Sequence, residues 1–262
     1  MLRLRAGDAS VVLAPEIGGS ILGWTLGGQT ILRRARADAI MSSDARGMAC
    51  FPLVPPWEVD EAGPASARLS LIQGGEAAAR WPFRATQAFD LDEDALRVTL
   101  EIENLGPRPA PAGLGLQACF PAGHRAASDL QAAKAPVLHF AADAVWTDAG
   151  EGLAAARIAM PAAWDHHAGR AVGSVALDNC FADWRGRADI AWARPGPLLS
   201  IEATALFGHL GVFAPAGADF FCLAPASHRI DALNRLEIAD HGMHILEPGQ
   251  CLQGEIRFRV LD

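Results

Sequence analysis

Between residues 85 and 104 the chain reads ATQAFDLDEDALRVTLEIEN, and the second half alternates without a break. Leu96, Val98, Leu100 and Ile102 are apolar; Arg97, Thr99, Glu101 and Glu103 are polar. A period of two places the apolar set on one face of an extended strand and the polar set on the other. Ahead of it, Ala85, Gln87 and Phe89 lead to Leu91, and Asp92-Glu93-Asp94 supplies turn residues between the two runs. The segment is a half-buried antiparallel hairpin, a pattern that the 3.6-residue period of a packed helix does not match.

The same grammar recurs along the chain. ASVVLAP, SILGWTL and QTILRRA are separated by Gly18-Gly19 and Gly27-Gly28, which reads as strand, turn, strand, turn, strand. PVLHFAADAV, PLLSIEATAL and GHLGVFAP read as further strands, and the closing QCLQGEIRFRV alternates through Ile256, Phe258 and Val260. Ser42 to Met48 has room for one turn of helix, and no long amphipathic stripe is present. The Gly/Pro-rich joints at 106–113 and 194–197 are too short for interdomain linkers. With 262 residues and a hydrophobic fraction of 51%, the chain can bury a large core. The expectation is one all-β domain over residues 1–262, a large antiparallel β-sandwich.

Charge and cysteines narrow the function class. The net charge is −8 and the pI about 5.5. No Lys/Arg run offers a footprint for nucleic acid or an anionic membrane. The N-terminus lacks an apolar h-region with a cleavage site, and no apolar run approaches the ~20 residues of a membrane span; a cytoplasmic protein is expected. The five cysteines, Cys50, Cys119, Cys180, Cys222 and Cys251, are widely spaced among apolar or small neighbours. They are expected to be free buried thiols. No C-x-x-C zinc pattern appears. Adjacent His166 and His167 would face opposite ways on a strand, and His241 to His244 lie between strands without an accompanying carboxylate, so no metal is expected.

Four segments, in order, resemble the aldose 1-epimerase (galactose mutarotase) family. GMACFPLVPPWEV (47–59) is similar to the family's G-x-FPLVP-x-SNR, and PAGLGLQACFPAG (111–123) to its P-x-G-x-G-x-H-P-x-FP. VALDNCFADWRGRADIAW (175–192) is similar to LDNCF-x-x-W-x-G. FCLAPASHRIDALN (221–234) is similar to FC-x-EP-x-[ST]H-x-x-DA-x-N and is followed by HILEPGQCLQGEIRFRV. The resemblance implies a galactose mutarotase-like supersandwich, a small-molecule sugar as partner and no cofactor. It also implies a chemistry in which a carboxylate deprotonates the anomeric hydroxyl while a histidine protonates the ring oxygen.

This chain departs from the pattern at the positions that carry the chemistry. Gln117 stands where the family has its acid, and an amide has no proton to give at a useful pKa. Ala224 stands where the family has its base. A second family histidine, in an HGHG-x-x-R-x-W stretch, has no counterpart in IQGGEAAARWPFRA, although Arg80, Trp81 and Pro82 are retained. Trp57-Glu58-Val59 replaces the arginine-bearing segment. Asp178, in ALDNC, matches a family residue that binds a sugar hydroxyl; alone it also reads as an Asp-Asn turn.

The candidate sugar contacts are therefore Asp178, Gln117, Arg80, Trp81 and Trp57, the tryptophans offering flat apolar faces for a ring. His228, Glu58 and Glu76 are titratable residues near the rewritten positions, with His228 and Glu58 the candidates for a relocated acid–base group. Three readings stay open. The first is an aldose 1-epimerase-like carbohydrate-binding protein whose mutarotase activity is weak or lost because of Gln117 and Ala224. The second is an active sugar isomerase or epimerase using His228 or Glu58. The third is a non-enzymatic interaction module whose cleft is closed by Trp57 and Leu223.

Overall fold

A computed structural model describes residues 1–33, 55–74, 81–123, 135–148, 154–193, 196–236 and 239–261. The regular structure of these residues is strand, with one 3-10 turn at Ala232–Asn234 and no α-helix among them. The strands are β1 (Leu2–Ala6), β2 (Ala9–Ala14), β3 (Ser20–Leu26), β4 (Gln29–Arg33), β5 (Glu58–Ala62), β6 (Ser66–Gln73) and β7 (Phe83–Leu91). They continue as β8 (Ala95–Asn104), β9 (Ala110–Ala112), β10 (Ala118–Pro121), β11 (Val137–Phe140), β12 (Ala144–Asp148), β13 (Ala154–Ala159) and β14 (Arg170–Ala171). The last are β15 (Leu177–Ala182), β16 (Arg187–Ala191), β17 (Leu198–Ala203), β18 (His209–Ala214), β19 (Phe220–Ala226), β20 (His244–Leu246) and β21 (Cys251–Leu261). The region 42–48 lies outside the described residues.

Two large antiparallel sheets result. One runs β1-β2-β3-β4-β10-β19-β18-β15-β12-β13; the other runs β14-β11-β16-β17-β21-β8-β7-β6-β5. The β7–β8 hairpin forms as its alternation predicts, with Leu91 opposite Leu96 and Phe89 opposite Val98. Val98 and Leu96 in turn face Ile256 and Phe258 of β21. On the ten-stranded sheet, Ala118, Phe120, Leu177, Phe181, Leu210, Val212, Phe221 and Leu223 join the same buried cluster. The Phe120 ring lies 5.4 Å from that of Phe221 and 6.5 Å from that of Phe258, so aromatic side chains cross the space between the sheets. The architecture is a large antiparallel β-sandwich.

Two local expectations are corrected. PVLHFAADAV is not one strand: the chain leaves the nine-stranded sheet after Phe140 and enters the other sheet at Ala144, turning through 141–143. The cysteines are not all free. Cys119 and Cys222 stand directly opposite each other on β10 and β19 and form a disulfide, with Cα atoms 4.1 Å apart. That separation is typical of a non-hydrogen-bonded antiparallel pair, whose side chains approach most closely. Cys180 is free and buried, Cys251 is free and exposed, and Cys50 lies outside the described residues.

Candidate functional site

Gln117 and Ala224 face each other. The β10–β19 register sets Cys119 opposite Cys222 and Ala118 opposite Leu223. It continues unbroken past the end of β10: the Leu116 N–H donates to the Pro225 carbonyl at 3.0 Å, and Gly115 bridges Ala226. Gln117 is therefore the cross-strand partner of Ala224. Leu223 and Ala118 point into the sandwich. By alternation their neighbours Ala224 and Gln117 point the other way, onto the outer face of the ten-stranded sheet.

Following the pairings sideways builds that face in rows. One row runs Gln117, Ala224, Gly211, Cys180, Trp146 and Arg157. The row on one side runs Arg33, Cys119, Cys222, Phe213 and Asp178. The row on the other runs Gly115, Ala226, His209, Ala182 and Ala144. Asp178 is exposed, and Gln117, Ala224, Gly211 and Phe213 are half-buried. Three interstrand gaps separate Gln117 from Asp178, roughly 14 Å across the sheet. Between them the floor is as low as side chains allow: an added Cβ on Gly211 would lie 3.2 Å from the Ala224 Cβ.

The far end of the first row is roofed over. The Arg229 guanidinium, fully buried, lies 4.3 Å above the Trp146 ring, and Ile230 packs on the patch formed by Ala144, Trp146, Cys180 and Ala182. Burial pushes the Cys180 thiol up to about 12, so it is an inert thiol rather than a nucleophile. At the opposite edge, Arg33 pairs with the Asp219 carboxylate at 3.0 Å and lies 5.6 Å from the centre of the Phe220 ring. That ring is 6.1 Å from Phe213.

His228 does not reproduce an acid. Its Nδ1 is 3.2 Å from Ser227 Oγ, which accepts the Leu114 N–H at 2.9 Å. Burial, reinforced by His209, His244 and His241, lowers the His228 pKa to about 4. Roughly one molecule in a thousand would carry its imidazolium at neutral pH. His209, which shares its row with Ala226, is lowered to about 4, chiefly by burial and against a raising hydrogen bond to the Ser227 carbonyl. Gly113 and Gly242 are required here. A Cβ on Gly113 would fall 2.4 Å from His228 Nδ1, and one on Gly242 would fall 2.3 Å from the Ser227 carbonyl oxygen. Among the described residues, no group of three or more His, Cys, Asp or Glu side chains is arranged to hold a metal ion.

The remaining expectations fare differently. Glu58 sits on β5, the exposed edge strand of the nine-stranded sheet, opposite Ser70, which takes it off the face that carries Gln117 and Ala224. Trp57 is 7% exposed and belongs to the interior cluster, so its ring is spent on core packing, while its backbone N–H donates to the Pro15 carbonyl at 2.8 Å. Leu223 is fully buried on the inner face. Neither residue closes the outer face. Trp81 is half-buried just before β7, while Arg80 and Glu76 lie outside the described residues. His166 is a core histidine, stacked 4.8 Å from Phe140 and bound to the Trp164 carbonyl. Sequence reasoning missed Phe213, Gly211, His209 and the Cys119–Cys222 pair. The alternation in GHLGVFAP singles out the first three as one face, but their neighbours follow only from the strand register.

A family model described as aldose 1-epimerase matches residues 43–259. Over 186 residues the chain is 29% identical to the uncharacterized protein YphB of Escherichia coli K12, covering 68% of this chain and 60% of that relative's length. A solved structure of a presumed aldose 1-epimerase from E. coli K12 superposes with a TM-score of 0.82 at 22% identity, covering 99% of this chain and 98% of the other. A galactose mutarotase-like protein from Clostridium acetobutylicum gives 0.79 at 15% identity, covering 99% and 94%. These two likenesses are of fold. The family match, spanning most of the chain, carries the assignment: this protein belongs to the aldose 1-epimerase family.

Proposed function

We propose that the chain acts as a single galactose mutarotase-like unit that binds a small sugar on the outer face of the ten-stranded sheet and has weak or no mutarotase activity. The observation that carries this reading is the Gln117–Ala224 pair, two residues without an ionisable group at the positions that resemble the family's acid and base. Mutarotation needs a proton taken from one oxygen and given to another, and each missing group typically costs ~10² to 10⁴ in rate. Binding needs less. Asp178 accepts from sugar hydroxyls, Gln117 both donates and accepts, and Ala224 with Gly211 leaves the floor flat enough for a ring to rest between them. Phe213, cross-strand partner of Asp178, adds an apolar surface. Arg80 and Trp81 would contribute from the segment that resembles the family's R-x-W. A cytoplasmic sugar or sugar derivative is the ligand class this reading favours.

The test is NMR exchange between α and β anomers across a panel of aldoses and sugar phosphates. Selective line broadening of one sugar without faster exchange is the expected result. Exchange accelerated by more than ~10³ over buffer would overturn the binding-only reading and call for a relocated acid–base group. Absence of any interaction across the panel would remove the sugar site.

A further inference from the structure

We propose that Cys119 and Cys222 form a reversible thiol–disulfide site that locks the floor of the sugar cleft. The two sulfurs lie on the same outer face as Gln117 and Ala224, one row away on the same two strands. β10 is the strand that the bond holds. It has four residues and joins β1–β4 to the rest of the ten-stranded sheet. Among the described residues it meets β4 at Cys119 with Arg33, and its pairing with β19 extends over four residues and continues to Gly115. A bond from Cys119 to Cys222 thus crosslinks β10 to β19, one row away from Gln117. The partners are 103 residues apart in sequence, so no local turn holds them together when the bond is open.

The chemistry is thiol–disulfide exchange with a small disulfide such as oxidised glutathione. One cysteine thiolate attacks a glutathione sulfur and expels a glutathione thiolate, giving a mixed disulfide. The other cysteine then attacks the protein sulfur of that mixed disulfide and expels the second. Two protein thiols are oxidised to one disulfide while one glutathione disulfide is reduced to two thiols. Cys119 and Cys222 are 4% and 2% exposed, so exchange requires β10 to open locally. A protein of a reducing compartment that carries such a pair uses it transiently or as a sensor.

The test uses the intact protein equilibrated in glutathione buffers of stepped redox ratio. Differential alkylation with mass spectrometry reads the pair, and amide hydrogen exchange reads residues 115–121. The expected result is a reversible titration of the pair, with exchange at 115–121 at least about tenfold faster in the reduced form and unchanged in the β7–β8 hairpin. Cys119→Ala and Cys222→Ala variants should exchange like the reduced protein at every ratio. A pair that stays oxidised until the protein unfolds, or that never oxidises, overturns the proposal, as does equal exchange in both forms. The link to ligand rests on the sugar-binding reading. If no sugar binds in either form, that reading fails, while the alkylation and exchange data still judge the lock.

Discussion

Alanine at 224 offers no proton acceptor but leaves the space for one. Its cross-strand neighbours are Gln117 on one side and Gly211 on the other, and no bulky side chain intrudes from either. A glutamate placed there would have room to extend over Gly211. It would still meet an amide at 117, so the ring oxygen would lack a proton donor. Ala224→Glu alone should therefore leave anomer exchange at the level of the parent protein. Gln117→His together with Ala224→Glu should raise it at least ~10²-fold over either single change. The same NMR exchange measurement checks both. Robust turnover by the single Ala224→Glu variant would mean that another group already serves as acid. His228 is a poor candidate for that role, because its low pKa keeps it neutral at working pH.

Among the elements, strands with a regular alternation were legible in the sequence, and a change of sheet inside one apolar run was not. β7 and β8 display their alternation because polar residues mark the solvent side. PVLHFAADAV hides a change of sheet because apolar residues that become buried, Leu138 and Phe140 before the break and Val145 after it, read as one continuing run, with Asp143 to mark the turn. Gln117, Ala224 and Asp178 stood out in the sequence only through their resemblance to family motifs. Their surroundings were not legible, since the pairing of β10 with β19 joins residues about a hundred apart and no local signal sets that register. The segment 239–244 shows a further dependence of this kind. Gly242 has φ +76° and lies where a Cβ would meet the Ser227 carbonyl oxygen at 2.3 Å and the His209 Cε1 at 3.1 Å. Gly242→Ala should destabilise the protein by about 2–3 kcal/mol in urea denaturation. A loss below about 0.5 kcal/mol would show that this segment does not press on the histidines.

At the scale of the whole molecule, burying neutral histidines ties stability to pH. His209 is 7% exposed and its pKa falls from 6.5 to about 4 on folding; His228 falls likewise. A group whose folded pKa is depressed leaves stability intact above its unfolded pKa. Below that value the unfolded chain binds the proton first, and stability drains until the folded pKa is passed. The window therefore opens near pH 6.5 and closes near pH 4. For His209 alone the full penalty is on the order of 3 kcal/mol. His228 deepens it, and since the two rings repel each other when charged, the pair should lose its protons as a coupled unit. Melting temperature measured across this range should fall steeply below pH 6, while His209→Gln, which removes one of the two titrations, should make the fall shallower even if it lowers the plateau. A wild-type curve that stays level down to pH 4.5 would mean that both imidazoles are hydrated in solution. In that case the cover formed by Ser227 to Ile230 and Gly242 would not be closed over the outer face, and the proposed sugar site would extend under it.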